Sequence, residues 1–253
     1  MPANDGSVWF RRYGPPARPQ ARLLCLPHAG GSASFFHSWG HAFGNGVEVM
    51  AARYPGRQER IAEPFLRSMD ALADALTGAL LPFLDAPLAV FGHSMGASLA
   101  HEVALRLEQR HGVRLAGLYV SGRKPPHLVA PDPARHGSDE AAVAEVRRLG
   151  GTDAALLDDP ELRELVLPQI RADFAVVDGY GPRSAVPLHC PVVGYVGGSD
   201  PDVTAADMEA WAGATSEGFE LRVLPGDHFY LVPQRDALVR DLAARLTRVR
   251  QHS

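Results

Sequence analysis

Cysteine and lysine are scarce in this chain of 253 residues. Its two cysteines, Cys25 and Cys190, cannot build a disulfide framework, and neither stands in C-x-x-C spacing. Both lie in or beside short apolar runs, which predicts buried free thiols and suits a reducing cytoplasm. Lys124 is the only lysine, and every other cationic side chain is an arginine. A formal net charge of −4 argues against a nucleic-acid partner. No apolar run approaches the roughly 18 residues that suggest a membrane span. The segment Met1 to Ser7 has no charged stretch leading into an apolar one, so no secretory signal is expected. Arg11-Arg12 precedes Tyr-Gly-Pro-Pro and not a hydrophobic run, which speaks against a twin-arginine export signal. No H-E-x-x-H or Cys/His cluster occurs, nor a Walker sequence or dinucleotide glycine fingerprint. Neither a metal nor a cofactor is therefore expected.

What is present is alternation. Strands are predicted at Val8–Arg12, Arg22–Leu26, Val47–Ala51, Leu88–Phe91, Ala116–Ser121, Val192–Val196 and Glu220–Leu224. Helical patterns cover Ser34–Phe43, Ser68–Leu84, Met95–Gln109, Thr204–Ala212 and Gln234–Val249. Near-continuous apolar strands between amphipathic helices indicate an α/β fold with a mostly parallel sheet, covered on both faces. The length suits one domain spanning residues 1–253. From about 123 to 190 the alternation breaks: an irregular link is followed by two helical patterns, Asp139–Leu149 and Pro160–Asp178. Such a helical insertion between core strands is expected to form a lid over the strand ends.

Gly92-His93-Ser94-Met95-Gly96 is the most informative stretch. A strand leads into it and a helix follows, the context in which a G-x-S-x-G serine becomes a nucleophile. The turn is sharp enough to require small residues two positions either side. A serine hydroxyl needs a base, and the base needs an orienting acid. In this architecture the order is nucleophile, acid, histidine. The loop Ser199-Asp200-Pro201-Asp202, after a late strand, offers Asp200 as the acid, with Asp202 as the alternative. Pro225-Gly226-Asp227-His228, after the next strand, offers His228; Asp227 is its neighbour, and adjacent loop side chains usually diverge. His93 beside the serine is read as structural. His101 and His111 on the following helix and His252 in the tail are weaker candidates. Two N–H groups should hold the oxyanion: that of Met95, at the start of the helix, and that of Ala29, in the glycine-rich turn Leu26-Pro27-His28-Ala29-Gly30-Gly31-Ser32. Phe35, Phe36 and Phe229 flank the site but read as core aromatics.

Leu26-Pro-His-Ala-Gly-Gly-Ser-Ala, Tyr54-Pro-Gly-Arg-Gln-Glu-Arg, Gly92-His-Ser-Met-Gly-Ala and Gly226-Asp-His-Phe-Tyr-Leu together resemble the type II thioesterases that accompany polyketide synthases and nonribosomal peptide synthetases. Ser121-Gly-Arg-Lys-Pro-Pro-His and Ile170-Arg-Ala-Asp-Phe are similar to segments of the same family, and the likeness runs from about residue 20 to 240. The resemblance implies an α/β-hydrolase fold with a Ser94–Asp200–His228 triad and Ala29 and Met95 as oxyanion donors. It also implies hydrolysis of acyl thioesters on the phosphopantetheine arm of an acyl or peptidyl carrier protein, clearing stalled or wrong acyl groups. Two other functions stay open on the same fold: a chain-releasing thioesterase or small-ester hydrolase, and a carrier-protein binder without catalysis. The turn Tyr54-Pro-Gly-Arg57 has no evident role here beyond loop geometry.

Overall fold

The computed structural model describes residues 8–13, 18–40, 42–44, 46–132, 136–150, 157–184 and 186–249. Among the described residues, seven strands form one sheet in the order β1-β3-β2-β4-β5-β6-β7. They are β1 (Phe10–Tyr13), β2 (Ala21–Leu26), β3 (Val47–Ala52), β4 (Leu88–His93), β5 (Gly117–Ser121), β6 (Val192–Gly197) and β7 (Phe219–Leu224). All neighbours run parallel except β1, which pairs antiparallel with β3. The helices are α1 (Met69–Leu80), α2 (Met95–His111), α3 (Asp139–Leu149), α4 (Pro160–Asp178), α5 (Ala205–Glu209) and α6 (Arg235–Val249).

Side chains alternate across the sheet because successive strand residues point to opposite faces. Leu24, Leu26, Val90 and Val120 turn toward α1 and α2, joining Leu72, Leu76, Leu99 and Val103. Leu23, Cys25, Phe91 and Tyr195 turn the other way, toward Leu238, Leu242 and Leu246 of α6. The chain thus forms the three-layer α/β arrangement, a mostly parallel sheet covered on both faces, that the strand and helix pattern anticipates. Both cysteines are buried free thiols.

Several boundaries move for local reasons. The helix expected over Ser34–Phe43 is a 3-10 turn, Ala33–Trp39. Its three-residue repeat stacks Ala33, Phe36 and Trp39 on one buried face, a spacing a 3.6-residue repeat would spread apart. The helix expected over Ser68–Leu84 stops at Leu80 and tightens into a 3-10 turn at Leu81–Phe83, where Pro82 cannot continue the ladder. The Thr204–Ala212 pattern divides into α5 and a 3-10 turn, Ala210–Ala214. The first strand begins at Phe10, not Val8. Met1 to Ser7 and His252 lie outside the described residues.

Between β5 and β6 the chain builds α3 and α4. Ser138 caps α3 by accepting from Ala141 N–H at 3.2 Å, and Asp159 caps α4 just before Pro160. These helices share their own small core of Ala142, Val143, Leu167, Ile170 and Phe174, against which Ala29 packs. Parallel strands place all their carboxyl ends on one edge, and loops from β2, β4, β6 and β7 meet there.

Candidate active site

The chain leaves β4 and enters α2 through Ser94, whose φ of 54° and ψ of −117° put a non-glycine residue in a strained conformation. The two glycines explain how the turn closes. A Cβ on Gly92 would lie 2.0 Å from the carbonyl oxygen of Gly96, and one on Gly96 would lie 2.1 Å from that of Leu26. Both obstacles are backbone and cannot swing away. Ser94 N–H donates to the carbonyl of Ser121 at 2.8 Å, fixing the turn to β5. Met95 is the first residue of α2, so its N–H has no intrahelical carbonyl to reach.

His228 comes from the loop after β7. Its Nδ1 lies 2.8 Å from Oδ2 of Asp200, which follows β6, and both side chains are almost fully buried. The other oxygen of Asp200 accepts from the N–H groups of Asp202 (2.9 Å) and Val203 (3.2 Å), so the carboxylate is held on both sides. The two loops are sewn together: Ser199 N–H donates to Gly226 at 2.9 Å, and a Cβ on Gly197 would sit 2.1 Å from the carbonyl of Asp227. With Nδ1 donating to Asp200, Nε2 of His228 keeps its lone pair; it is buried and has no hydrogen-bond partner. Asp202 turns away and pairs with Arg148 of α3. Asp227 accepts from its own loop, the N–H of Phe229, at 2.9 Å.

Two further imidazoles surround His228. The ring centre of His93 is 4.9 Å from that of His228, and the ring of His28 is 5.9 Å from His93. Burial, reinforced by His228 and Arg57, pushes His28 down to about 3, and burial holds His93 well below the ordinary imidazole range. Both are therefore neutral near pH 7, and neither opposes a positive charge arising on His228. His93 also bonds Ser121 Oγ at 2.9 Å, and that hydroxyl meets Tyr230 at 2.6 Å, which accounts for its structural reading. His101 is buried on α2, edge-on to Trp211, while His111 ends that helix in solvent.

Ser94, Ala29 and His228 line two adjoining cavities. One is small, about 30 Å³, and walled by Val146 and Leu149 of α3, Ile170 and Phe174 of α4, and Phe229. The other is about 250 Å³, more polar, and bordered by Arg123, Lys124, Asp132 and His136. Phe229 is thus a wall residue as well as a core aromatic, whereas Phe36 is wholly buried in the core. No group of side chains arranged to hold a metal ion occurs among the described residues.

Residues 21–246 match the model of the thioesterase domain. The chain belongs to the thioesterase domain family. It is 46% identical over 244 residues to the thioesterase PikA5 of Streptomyces venezuelae, covering 96% of this chain and 86% of that one. It is 34% identical to the gramicidin S biosynthesis protein GrsT of Aneurinibacillus migulanus, with 94% and 93% covered. Among solved structures, the type II thioesterase BorB from the borrelidin biosynthetic cluster superposes with a TM-score of 0.87 at 42% identity, over 94% of this chain and 98% of the other. The likeness to type II thioesterases that the motifs carry is borne out by these relatives, and so is the α/β-hydrolase fold.

Sequence reasoning overlooked Arg57 and Asp173. Both are buried and joined by two parallel hydrogen bonds of 2.7 Å directly behind Gly30 and Gly31. A signal for Asp173 exists in the sequence. It falls three residues after Ile170, beside Phe174, on the apolar stripe of α4, where an unpaired carboxylate would be costly.

Proposed function

We propose that this protein is a serine hydrolase of the type II thioesterase kind. Its substrates are short acyl thioesters on the phosphopantetheine arm of acyl or peptidyl carrier proteins, and it clears aberrant groups during polyketide or nonribosomal peptide synthesis. The observation that carries this reading is the Asp200–His228 hydrogen bond of 2.8 Å, which leaves a lone pair on a buried Nε2 in a cavity shared with the strained Ser94. Ser94 attacks the thioester carbonyl while His228 takes its proton. The oxyanion is received by the N–H groups of Ala29 and Met95, and the imidazolium then protonates the departing pantetheine thiol. Water, activated by the same imidazole, hydrolyses the acyl-serine ester. Nothing in these steps calls for a metal or cofactor.

The two cavities divide the substrate. The small cavity, closed in by apolar side chains of α3 and α4, suits a short acyl group, which favours editing over chain release. The larger polar cavity suits the amide-bearing arm. The segment between β5 and β6 is read as a lid within a single domain, since α3 and α4 supply the walls of the acyl pocket. The relatives' names, from gramicidin S biosynthesis and the borrelidin biosynthetic cluster, support carrier-bound substrates. No helix among the described residues is long and apolar enough to cross a membrane, and the reading assigns the reaction to the cytoplasm beside the synthases.

Replacing Ser94→Ala tests it. Hydrolysis of acetyl- or propionyl-carrier protein should fall by about 10⁶ in kcat, with the fold and carrier binding intact. Unchanged turnover would refute the nucleophile, and a wild-type preference for long free esters over short acyl-carrier thioesters would refute the substrate class.

A further inference from the structure

One layer behind the catalytic cavity lies an ion pair whose bonds converge on a single loop. Arg57 follows Tyr54-Pro55-Gly56 after β3, and Asp173 lies on α4. Their side chains are 3% and 4% exposed. Burying such a pair is not in itself stabilising, because desolvation offsets much of the attraction. The remaining bonds of both partners show where it acts. Arg57 Nη1 also donates to the carbonyl of Gly31 at 2.9 Å, and Asp173 Oδ2 also accepts from Gly30 N–H at 2.7 Å. On the other side of the loop, Tyr54 donates its hydroxyl to the carbonyl of Pro27 at 3.1 Å, and its ring centre is 5.2 Å from the Arg57 guanidinium. His28 and Ala29 are therefore held between two anchored ends. Gly30 has φ of +78°, and a Cβ there would lie 2.8 Å from Ile170, so α4 rests directly on the turn. Gly30 N–H is committed to Asp173 and Gly31 N–H to the carbonyl of His28, at 3.0 Å. These bonds do not use the N–H of Ala29.

We propose that Arg57 and Asp173 are positioning residues that set the oxyanion loop, holding the Ala29 N–H where the tetrahedral oxygen forms. Because the carboxylate arrives on α4, the hole is complete only while that helix is seated. The proposal rests on the serine-hydrolase reading and deepens it: the turn that begins at Tyr54 and the helix segment around Asp173 form one clamp with the glycine-rich loop between them.

The test compares Arg57→Lys, Asp173→Asn and the double variant Arg57→Met/Asp173→Leu, which removes both charges and orphans neither. Each is assayed for kcat and KM on acetyl-S-pantetheine, for melting temperature, and for affinity toward two analogues. The trifluoromethyl ketone adds Ser94 to give a tetrahedral oxyanion, while the matching methyl ketone mimics the ground state. Losing a whole oxyanion donor costs about 10²–10³ in rate, so a displaced one should cost about 10–10². Asp173→Asn and the double variant should lose that factor in kcat and the same factor in trifluoromethyl ketone affinity. KM and methyl ketone affinity should stay within about twofold. Arg57→Lys keeps both charges and should lose less; it decides the matter even where the other variants do not fold. Wild-type kcat per folded molecule, with only the melting temperature lowered, would overturn the proposal, as would equal weakening of both ketones. A dead Ser94→Ala beside fully active clamp variants removes the clamp alone, whereas an active Ser94→Ala removes the hydrolase reading itself.

Discussion

Replacing Asp200 by asparagine changes one atom, and the surroundings dictate how the new amide must sit. Oδ1 of Asp200 accepts from two backbone N–H groups, those of Asp202 and Val203. An amide NH₂ in that place would face two donors, so the asparagine carbonyl must occupy it. The NH₂ then points at Nδ1 of His228, which the aspartate oxygen now meets at 2.8 Å. Nδ1 is forced to accept and the proton moves to Nε2, which leaves no lone pair for the Ser94 hydroxyl. A wrong tautomer with intact geometry costs about 10⁴ in kcat, or about 5.5 kcal/mol of barrier. Asp202→Asn weakens a partly exposed pair with Arg148, which retains two bonds to Glu145 at 2.8 Å. That loss is worth about 0–1 kcal/mol of stability and should leave kcat within about twofold. Steady-state hydrolysis of propionyl-carrier protein by both variants, with circular dichroism to verify folding, separates them by three orders of magnitude or more. If Asp202→Asn collapses the rate while Asp200→Asn stays within about tenfold of wild type, the acid and the tautomer argument are both wrong.

The acyl pocket and the buried imidazoles give two more tests. Leu149→Ala removes a wall of the small cavity without touching the triad, and should raise kcat/KM for butyryl over acetyl thioesters by about tenfold or more; an unchanged ratio would mean that α3 does not set acyl length. His136 packs flat on Phe174, 4.0 Å between ring centres, with Asp178 at 2.8 Å and Glu145 at 3.7 Å. Burial opposes its charge, but the two carboxylates prevail and hold it above the ordinary value of 6.5. Its contribution is complete below 6.5 and drains away as pH rises through the raised folded-state value. His28 has the opposite sign: held down to about 3, it contributes fully above 6.5 and ceases to do so as pH falls toward that lower value. The melting-temperature gap between wild type and His136→Gln should therefore narrow from about pH 5 to about pH 9, and a constant gap would show that the imidazolium does not tie α3 to α4.

The sheet was legible because its signal is local. Leu88 to Phe91 followed by two glycines flanking a serine is a strand, a turn and a helix start within ten positions, and the structure shows why nothing larger than glycine fits at 92 and 96. The 3-10 turn at Ala33–Trp39 was less legible, since its buried three-residue repeat shares Phe36 and Trp39 with any helical pattern drawn through the same segment. Sequence order favours Asp200 over Asp202 only by its place directly after the turn, because two residues of spacing decide which carboxylate turns inward and the β6–β7 contact supplies that direction.

Arg57 and Asp173 stood furthest from view for the same reason, at a larger scale. Their separation in the chain hides a pairing that exists only after α4 folds back across the β2 loop. Each residue alone looks ordinary: an arginine in a turn, an aspartate on a helix. Together they bury two charges behind the glycine-rich loop, and that cost is sensible only if the loop they hold must be rigid. On the proposed reading, a nucleophile strained at φ of 54° and an oxyanion loop fastened by three side chains express one requirement. Stabilising a charge that exists only in the transition state needs dipoles fixed before the charge appears. The proposed triad can be read from motifs because its chemistry lies in side-chain identity, whereas the proposed hole lies in backbone direction, which only the packed neighbours set.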